Sequence, residues 1–575
     1  MERYVCEKIF KNIFTMIAQN LIELYQQSFR SNAQRSALTD YPTKETYTYL
    51  EVAVWIEKFH LIFKEAGLQP GDKVALTGRN TARWVIAELA VMTYGAVIVP
   101  ILQDFHTEDI NHIIDHSESK LLFVDAAHFQ GIDTAQAGRL AAVFALEDFR
   151  CIYERQGTKL TEFTAQVDRH FAQKHPRGYS ADDIVFAKVP NSQMMWLSYT
   201  SGTTGNSKGV MISGNSLASN ILYATRIAKM WIPGGNELSY LPLAHAYGGV
   251  FDVLAPLTIG SHIYLFGKLP AATIMIKALN EVHPYSFLSV PLLIEKICKA
   301  KVFPMLEKNP VKTLVKIPAL NKLIYSIINK KIKAVFGGKG LWEMNMGGAA
   351  VDPCVEALLM KMKFPFTVGY GMTECGPLIS YTTHSKYKAG SCGAIIPGME
   401  VRIDSADPYK IPGEICVKGE NVMMGYYKNP EATAEVLSED GWLRTGDLGI
   451  IDKDQTIYIK GRCKTMILLS NGQNIYPEQI EFKLNNLPLV AESLVVLKEG
   501  RLVALVYPNT EEITQRRLTP AEVEITMEQN VKTLNASVAA YEKIAEIELQ
   551  EVEFEKTPKK SIKRYLYTNL GGASK

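Results

Sequence analysis

The most constraining stretch of the chain is Leu197–Ser213, LSYTSGTTGNSKGVMIS, where an apolar run opens into a loop of Gly, Ser and Thr closed by Lys208. Glycines let backbone N–H groups approach an anion with no Cβ in the way, hydroxyls add donors, and the lysine adds a point charge. The loop therefore reads as a phosphate cradle. Met194–Tyr199 before it has the character of a buried strand, and Val210–Ile212 is apolar again at once, which makes a flexible Gly/Ser linker the poorer account. The P-loop order does not fit, because Ser207-Lys208-Gly209 stands where Gly-Lys-Ser/Thr is required, and no G-x-G-x-x-G is present.

The string YTSGTTGNSKGV resembles the phosphate-binding signature of the adenylate-forming superfamily: acyl-CoA synthetases, peptide-synthetase adenylation domains and luciferases. Further signatures of that superfamily follow in its order, and the resemblance runs from about Thr46 to Arg564. It implies that Thr200, Ser201, Gly202, Thr203, Thr204 and Gly205 bind the nucleotide, with Lys208 as a catalytic cation.

A chain of 575 residues is too long for one core, so two or more domains are expected. The net charge of +2 gives no overall attraction to nucleic acid, which is excluded as a partner. Eight cysteines (Cys6, Cys151, Cys298, Cys354, Cys375, Cys392, Cys416, Cys463) form no C-x-x-C and no Cys/His cluster, which argues against zinc and a disulfide framework and for a reduced cytosol. Met1–Gln19 has no small-residue cleavage pattern and is not read as a secretory signal. The longest apolar run, Trp84–Leu102, holds Glu88, a break at Gly95 and the β-branched Val97-Ile98-Val99, so it is expected to be helix, turn and buried strand, not a membrane span.

Helices expected at Tyr47–Ala66, Asn80–Tyr94 and Thr107–Ser117 alternate with strands at Lys73–Thr77, Ala96–Ile101 and Leu121–Val124. That alternation predicts an α/β fold with a mainly parallel sheet wrapped by helices. The resemblance adds its detail: a large multi-subdomain domain, residues 1–463, with parallel sheets and a small β-barrel, then a small, mobile α+β domain, residues 464–575.

Leu238–Ala246, LSYLPLAHA, reads as an apolar strand ending in a histidine that by itself is a core residue. The resemblance makes His245 and Tyr247 border an acyl pocket, and Gly248 and Gly249 then either leave a tunnel open or form a helix-start turn. Between Ile294 and Lys339, lysines are interleaved with Leu, Ile, Val and Phe; this is either a solvated helical surface or a basic amphipathic face for an anionic bilayer. An extended helical segment here resembles the long-chain fatty acyl-CoA synthetases.

Met346–Pro353 (MGGAAVDP) and Val368–Pro377 (VGYGMTECGP) each read as a strand entering a glycine turn. By resemblance Gly348, Ala349 and Ala350 lie along adenine, Tyr370 stacks on it with Gly371 and Met372 beside it, Thr373 nears the α-phosphate, and Glu374 holds Mg²⁺ with Thr200 nearby. On residues alone Glu374 is equally a surface carboxylate in a turn. Gly441–Gly449, GWLRTGDLG, resembles the ribose-binding signature, with Asp447 accepting from the sugar hydroxyls.

Lys460–Ile467 resembles the junction of the two domains, with Arg462 on the ribose and Lys464 at the hinge, and the Gly472 loop would approach the coenzyme A tunnel. Pro477 is expected to open a helix with Glu478 and Glu481 in its first turn. The pattern then breaks, because Ser561 stands where the superfamily carries its catalytic lysine, leaving Lys560 and Lys563 as substitutes. The reaction implied is ATP- and Mg²⁺-dependent activation of a long-chain fatty acid and its transfer to coenzyme A, giving AMP and pyrophosphate. The alternatives are an aryl or short-chain CoA ligase, a carrier-protein ligase and, from Ser561, a non-catalytic nucleotide binder. A cytoplasmic protein, peripheral at the inner membrane surface, is expected, with its oligomeric state open.

Overall fold

The computed structural model describes residues 19–200, 207–267, 272–469, 474–557 and 562–568. Within these the chain divides into two compact units. The first holds residues up to Thr200, Ser207–Glu400 and Val417–Leu443; the second holds Val401–Cys416 and Arg444 onward.

The first unit is built on an eight-stranded sheet, in the order Gly425–Tyr426, Lys208–Ser213, Met194–Thr200, Val97–Ile101, Lys73–Thr77, Leu121–Val124, Ala142–Ala145 and Cys151–Glu154. The five strands from Met194–Thr200 to Ala142–Ala145 run parallel, and antiparallel strands flank them on both sides. The long apolar run behaves as its residues dictate. Thr81 caps the helix Ala82–Tyr94 by accepting from the Trp84 N–H, Gly95 ends it at φ +90°, and Val97–Ile101 follows as a wholly buried strand. The helix expected from Asn80 therefore starts at Ala82, and that expected from Tyr47 starts at Tyr49, where Thr48 and Glu51 form a capping box and leave Tyr47 to a strand. The fold class expected from the alternation of elements is the one observed.

Two further sheets carry the rest of this unit's site. Ser286–Ser289, Glu343–Met346 and Phe366–Val368 form a parallel trio, and Tyr370–Gly371, Leu378–Tyr381 and Ala394–Ile395 an antiparallel one. The apolar stretch near His245 is strand only over Asn236–Ser239. No helix among the described residues is long and apolar enough to cross a membrane.

Met399–Asp404, Gly413–Gly419, Leu443–Ile451 and Ile457–Arg462 form one sheet, most of whose residues belong to the second unit. Val490–Lys498, Arg501–Pro508 and Glu546–Leu549 form another, whose core is filled by Ile480, Leu484, Val495, Ala504, Val523, Met527 and Leu534. Two of these residues come from the helix Pro477–Leu484 and three from Pro520–Ser537. Glu478 lies in the first turn of the former helix as expected, but Glu481 does not. It is buried, accepts from the Val495 N–H at 2.6 Å and is ion-paired with Arg564.

Candidate active site

The phosphate stretch is a hairpin: Met194–Thr200 pairs antiparallel with Lys208–Ser213, and Thr200 stands opposite Lys208. Ser201, Gly202, Thr203, Thr204 and Gly205 lie outside the described residues. The hairpin register sets the two residues that flank the loop side by side, and the Thr200 hydroxyl donates to the Lys208 carbonyl at 3.4 Å.

Lys208 Nζ sits 4.9 Å from the ring centroid of Tyr426, whose strand pairs with the Lys208 strand. The Tyr426 hydroxyl donates to Glu374 Oε1 at 3.0 Å. Burial, and next the Glu374 carboxylate, push that phenol well up, so it stays a donor. Lys208 and Glu374 thus both meet Tyr426, the ammonium over its ring and the carboxylate at its hydroxyl. Glu374 itself lies in the short turn Thr373–Cys375, which ends at Gly376 with φ +58°. The turn is tied from behind by a fully buried amide: Asn220 donates to the Ser216 and Cys375 carbonyls (2.8 and 3.3 Å) and accepts from the Leu378 N–H (2.9 Å). Neither Tyr426 nor Asn220 was legible in the sequence. Tyr426 sits in the ordinary-looking GYYKNP, and a helical Asn among small residues carries no spacing that marks it.

A cavity in the same unit is lined by His245, Tyr247, Gly348, Tyr370, Gly371, Met372 and Thr373 from the sequence expectations, joined by Met230, Phe251, Leu288, Asn345 and Tyr381 among others. Ala349 and Ala350 are exposed residues that continue from Gly348. His245 caps the turn it begins, its Nδ1 accepting from the Tyr247 N–H at 3.3 Å. The Tyr247 hydroxyl donates to the Asn345 carbonyl at 3.0 Å, which lays its ring on Gly347, where a Cβ would stand 3.3 Å from it. Tyr381, also lining the cavity, shares its hydroxyl between the buried Glu343 carboxylate and Asn345 Oδ1 (2.7 Å). Polar groups at this wall are thereby bonded to one another.

Gly248 and Gly249 lie in the short helical turn that His245 opens. A Cβ on Gly248 would lie 2.5 Å from the Pro242 carbonyl oxygen, and one on Gly249 would lie 2.5 Å from that of Leu243 and strike the Trp196 ring. They are glycines because the chain passes too close to its own backbone for any side chain.

In the second unit Asp447 and Arg462 are register partners on adjacent antiparallel strands, and Arg462 Nε lies 3.0 Å from Asp447 Oδ1. The carboxylate is nearly buried while the guanidinium is exposed. Lys464 is exposed in the turn that follows, which is closed by the Thr465 and Met466 N–H groups on the Arg462 carbonyl. Lys563 pairs with Glu555 at 3.4 Å, whereas Gly472, Lys560 and Ser561 lie outside the described residues. Among the described residues no three His, Cys, Asp or Glu side chains gather to hold a metal ion by themselves. Cys151, Cys298, Cys354, Cys375, Cys416 and Cys463 form no disulfide.

Known proteins resemble this chain along most of its length. The model of the AMP-binding enzyme family matches residues 25–427, and that of the AMP-binding enzyme C-terminal domain matches 464–569. The chain is 27% identical over 512 residues to a long-chain-fatty-acid–CoA ligase, ACSBG2, of Rattus norvegicus, covering 84% of this chain and 76% of the relative. It is 28% identical over 491 residues to 4-coumarate–CoA ligase 1 of Arabidopsis thaliana, covering 82% and 80%. Among solved structures, O-succinylbenzoate coenzyme A synthetase of Bacillus subtilis in complex with AMP is superimposed with a TM-score of 0.72 at 19% identity, over 97% of this chain and 99% of that one, a likeness of fold. The chain belongs to the AMP-binding enzyme family, within the adenylate-forming superfamily. By family it stands among the AMP-forming acid–CoA ligases.

Proposed function

We propose that this protein activates a long-chain fatty acid with ATP and transfers the acyl group to coenzyme A. The observation that supports this best is the single cavity in which Met230, Tyr247, Phe251 and Leu288 adjoin Gly348 and Tyr370–Thr373: an apolar wall next to the residues expected at the nucleotide. In the first half-reaction a carboxylate oxygen of the acid attacks the α-phosphorus, the bond to pyrophosphate breaks, and acyl-AMP forms. In the second the coenzyme A sulfur attacks the acyl carbon, its proton leaves, and AMP departs.

The chain's own groups act by charge and position. Lys208 meets negative charge on the phosphates, Thr373 nears the α-phosphate, and Asp447 with Arg462 addresses the ribose. Glu374, a hard oxygen donor fixed by Tyr426, fits a Mg²⁺ held as that ion usually is, by one carboxylate with the Thr200 hydroxyl and substrate phosphates. When bound, Mg²⁺ would neutralise charge developing on the phosphate oxygens. A functional border at 463/464 belongs to the proposal and is supported by a C-terminal family model that matches from residue 464; in it Lys464 would be the hinge, Gly472 would face coenzyme A, and Lys560 or Lys563 would stand in for the lysine missing at Ser561. A cytoplasmic location with peripheral contact at the inner membrane surface belongs to the same reading.

An aryl acid is the second reading, favoured by the rings of Tyr247, Phe251 and Tyr381 on the cavity wall. An AMP-release screen over acids from acetate to oleate and over hydroxycinnamates, with and without coenzyme A, tests both. Long-chain acids should give AMP and pyrophosphate, with coenzyme A accelerating turnover. Formation of ADP and phosphate would overturn the adenylate mechanism, and a preference for hydroxycinnamates would transfer the assignment to the aryl class.

A further inference from the structure

The parallel neighbours Ser286–Ser289 and Glu343–Met346, which supply Leu288 and Asn345 to the cavity, are joined by a helical excursion that ends in the helix Pro318–Val335. Ile294–Lys339 holds eleven lysines and two glutamates, a charge of +9 in a chain whose total is +2, so all other residues together carry −7. Of the described lysines here, only Lys299, with Asp352, and Lys312, with Glu307, are in ion pairs.

The helix Pro318–Val335 is two-faced. Ile328 and Ile332 are 3% and 4% exposed and hold it to the unit, whereas Leu320, Leu323 and Ile327 are 37%, 58% and 45% exposed. At 100° per residue those three fall within one stripe, with Lys331 continuing it and Lys330 at its edge. Burying leucine and isoleucine stabilises a protein, so a stripe left in water calls for an occupant.

We propose that this face docks flat on an anionic lipid bilayer, with Leu320, Leu323 and Ile327 entering the headgroup boundary and the surrounding lysines lying on lipid phosphates and carboxylates. A helix of this length lies about 27 Å along the surface, and long lysine stems keep their ammonium groups at the headgroups while the apolar stripe dips below. A second copy of the chain is a poor occupant, because it would set one strongly positive face against another. The purpose of docking rests on the fatty-acid reading, since it would bring the excursion that grows from the cavity strands to the phase where such acids dissolve. Docking itself does not depend on that reading.

The test is co-sedimentation of the full chain with vesicles of phosphatidylcholine alone or with roughly one phosphatidylserine in three. Recovery with the anionic vesicles should exceed that with neutral ones at least about tenfold at low salt and fall by a similar factor near 0.5 M salt, where surface charge is screened within a few ångströms. Leu323→Ser with Ile327→Ser, and separately Lys330→Gln with Lys331→Gln, should each weaken binding at least about fivefold without shifting the melting temperature, because all four side chains are exposed. Equal recovery on both vesicle types, or undiminished binding by the Leu323/Ile327 variant, would overturn the proposal. So would a salt-resistant dimer that shields Leu323 from proteolysis without lipid. Turnover of detergent-dispersed acid, measured in parallel, reports on the catalytic reading independently of docking.

Discussion

Replacing Arg564 by alanine should destabilise the second unit by about 3–5 kcal/mol near neutral pH, and by far less in acid. The magnitude comes from what Arg564 leaves behind. The Glu481 side chain is 8% exposed, its Oε1 accepts from the Val495 N–H at 2.6 Å, and its other oxygen meets the Arg564 guanidinium. Burial raises this carboxyl above its ordinary 4.5, and the charge of Arg564 is the largest influence pulling it back down. Without the guanidinium a buried carboxylate is uncompensated and its pKa climbs further.

The sign follows. A carboxyl raised in the folded state binds its proton more tightly folded than unfolded, so stability falls as pH climbs from about 4.5 to the folded value and is flat above it. In Arg564→Ala that fall extends over a wider window. The two stability curves should therefore meet below about pH 4.5 and separate as pH rises. For a unit of this size 1 kcal/mol corresponds to roughly 2–4 °C, which places the neutral-pH drop at about 6 to 20 °C in the transition of that unit. Calorimetry at several pH values between about 4 and 8 reads it directly. Adding Glu481→Gln to Arg564→Ala should recover most of the loss, because the amide oxygen still accepts from Val495. A drop that is the same at all pH values, or that Glu481→Gln does not relieve, would refute the buried-charge argument.

Three further outcomes are expected. Glu374→Gln keeps an acceptor for Tyr426 but removes the charge, so turnover should fall about 10²- to 10³-fold in a steady-state assay with melting nearly unchanged. Gly249→Ala should destabilise the first unit by about 1–3 kcal/mol in urea unfolding, because its methyl meets the Leu243 carbonyl and the Trp196 ring. Lys560→Ala with Lys563→Ala should slow adenylate formation at least about a hundredfold in a single-turnover assay while sparing thioester formation from supplied acyl adenylate, and a rise in rate on Ser561→Lys would reveal a native deficit.

What was legible in the sequence was whatever local chemistry fixes. The run Trp84–Leu102 had to break at Gly95, and its helix, left-handed cap and buried strand are all found. The family was legible because its signature stretches are short, local and rich in glycine. Long-range pairing was not legible. Glu481 looked like a helix-dipole carboxylate in the first turn, yet it sits a position or two further on, where the helical period turns it inward to a partner 83 residues away. Gly248 and Gly249 read either as room for a chain or as a helix-start turn, and they sit in the short helical turn that His245 caps, packed against backbone. The excess of lysine was visible, but the face on which Leu320, Leu323 and Ile327 line up was not.

The residues that carry the signatures are held by residues that carry none, and this bears on how substitutions in the first unit should be read. Asn220 lies on the helix Gly214–Leu222 that directly follows the Lys208 strand, and with its one amide it fixes the carbonyl of Cys375 and the N–H of Leu378 on both sides of a turn more than 150 residues away. Ser216, one turn earlier, donates to the Asn421 carbonyl at 2.8 Å, and Asn421 in turn donates to the Leu378 carbonyl at 2.6 Å. Tyr426, five residues beyond Asn421, returns to Glu374 from the other side. Phosphate hairpin, Glu374 turn and Tyr426 strand are thus one hydrogen-bonded body, in which the buried Asn421 Oδ1 alone of these linking side-chain groups lacks a partner. Removing Asn220 would leave a carbonyl and an N–H unpaired in a fully buried place, so its effect on turnover would reach Glu374 through geometry, not chemistry. A loss of activity at Asn220, Ser216 or Asn421 accordingly marks a residue that positions the site, and only loss without any change in stability, as expected for Glu374, marks one that touches the reacting groups.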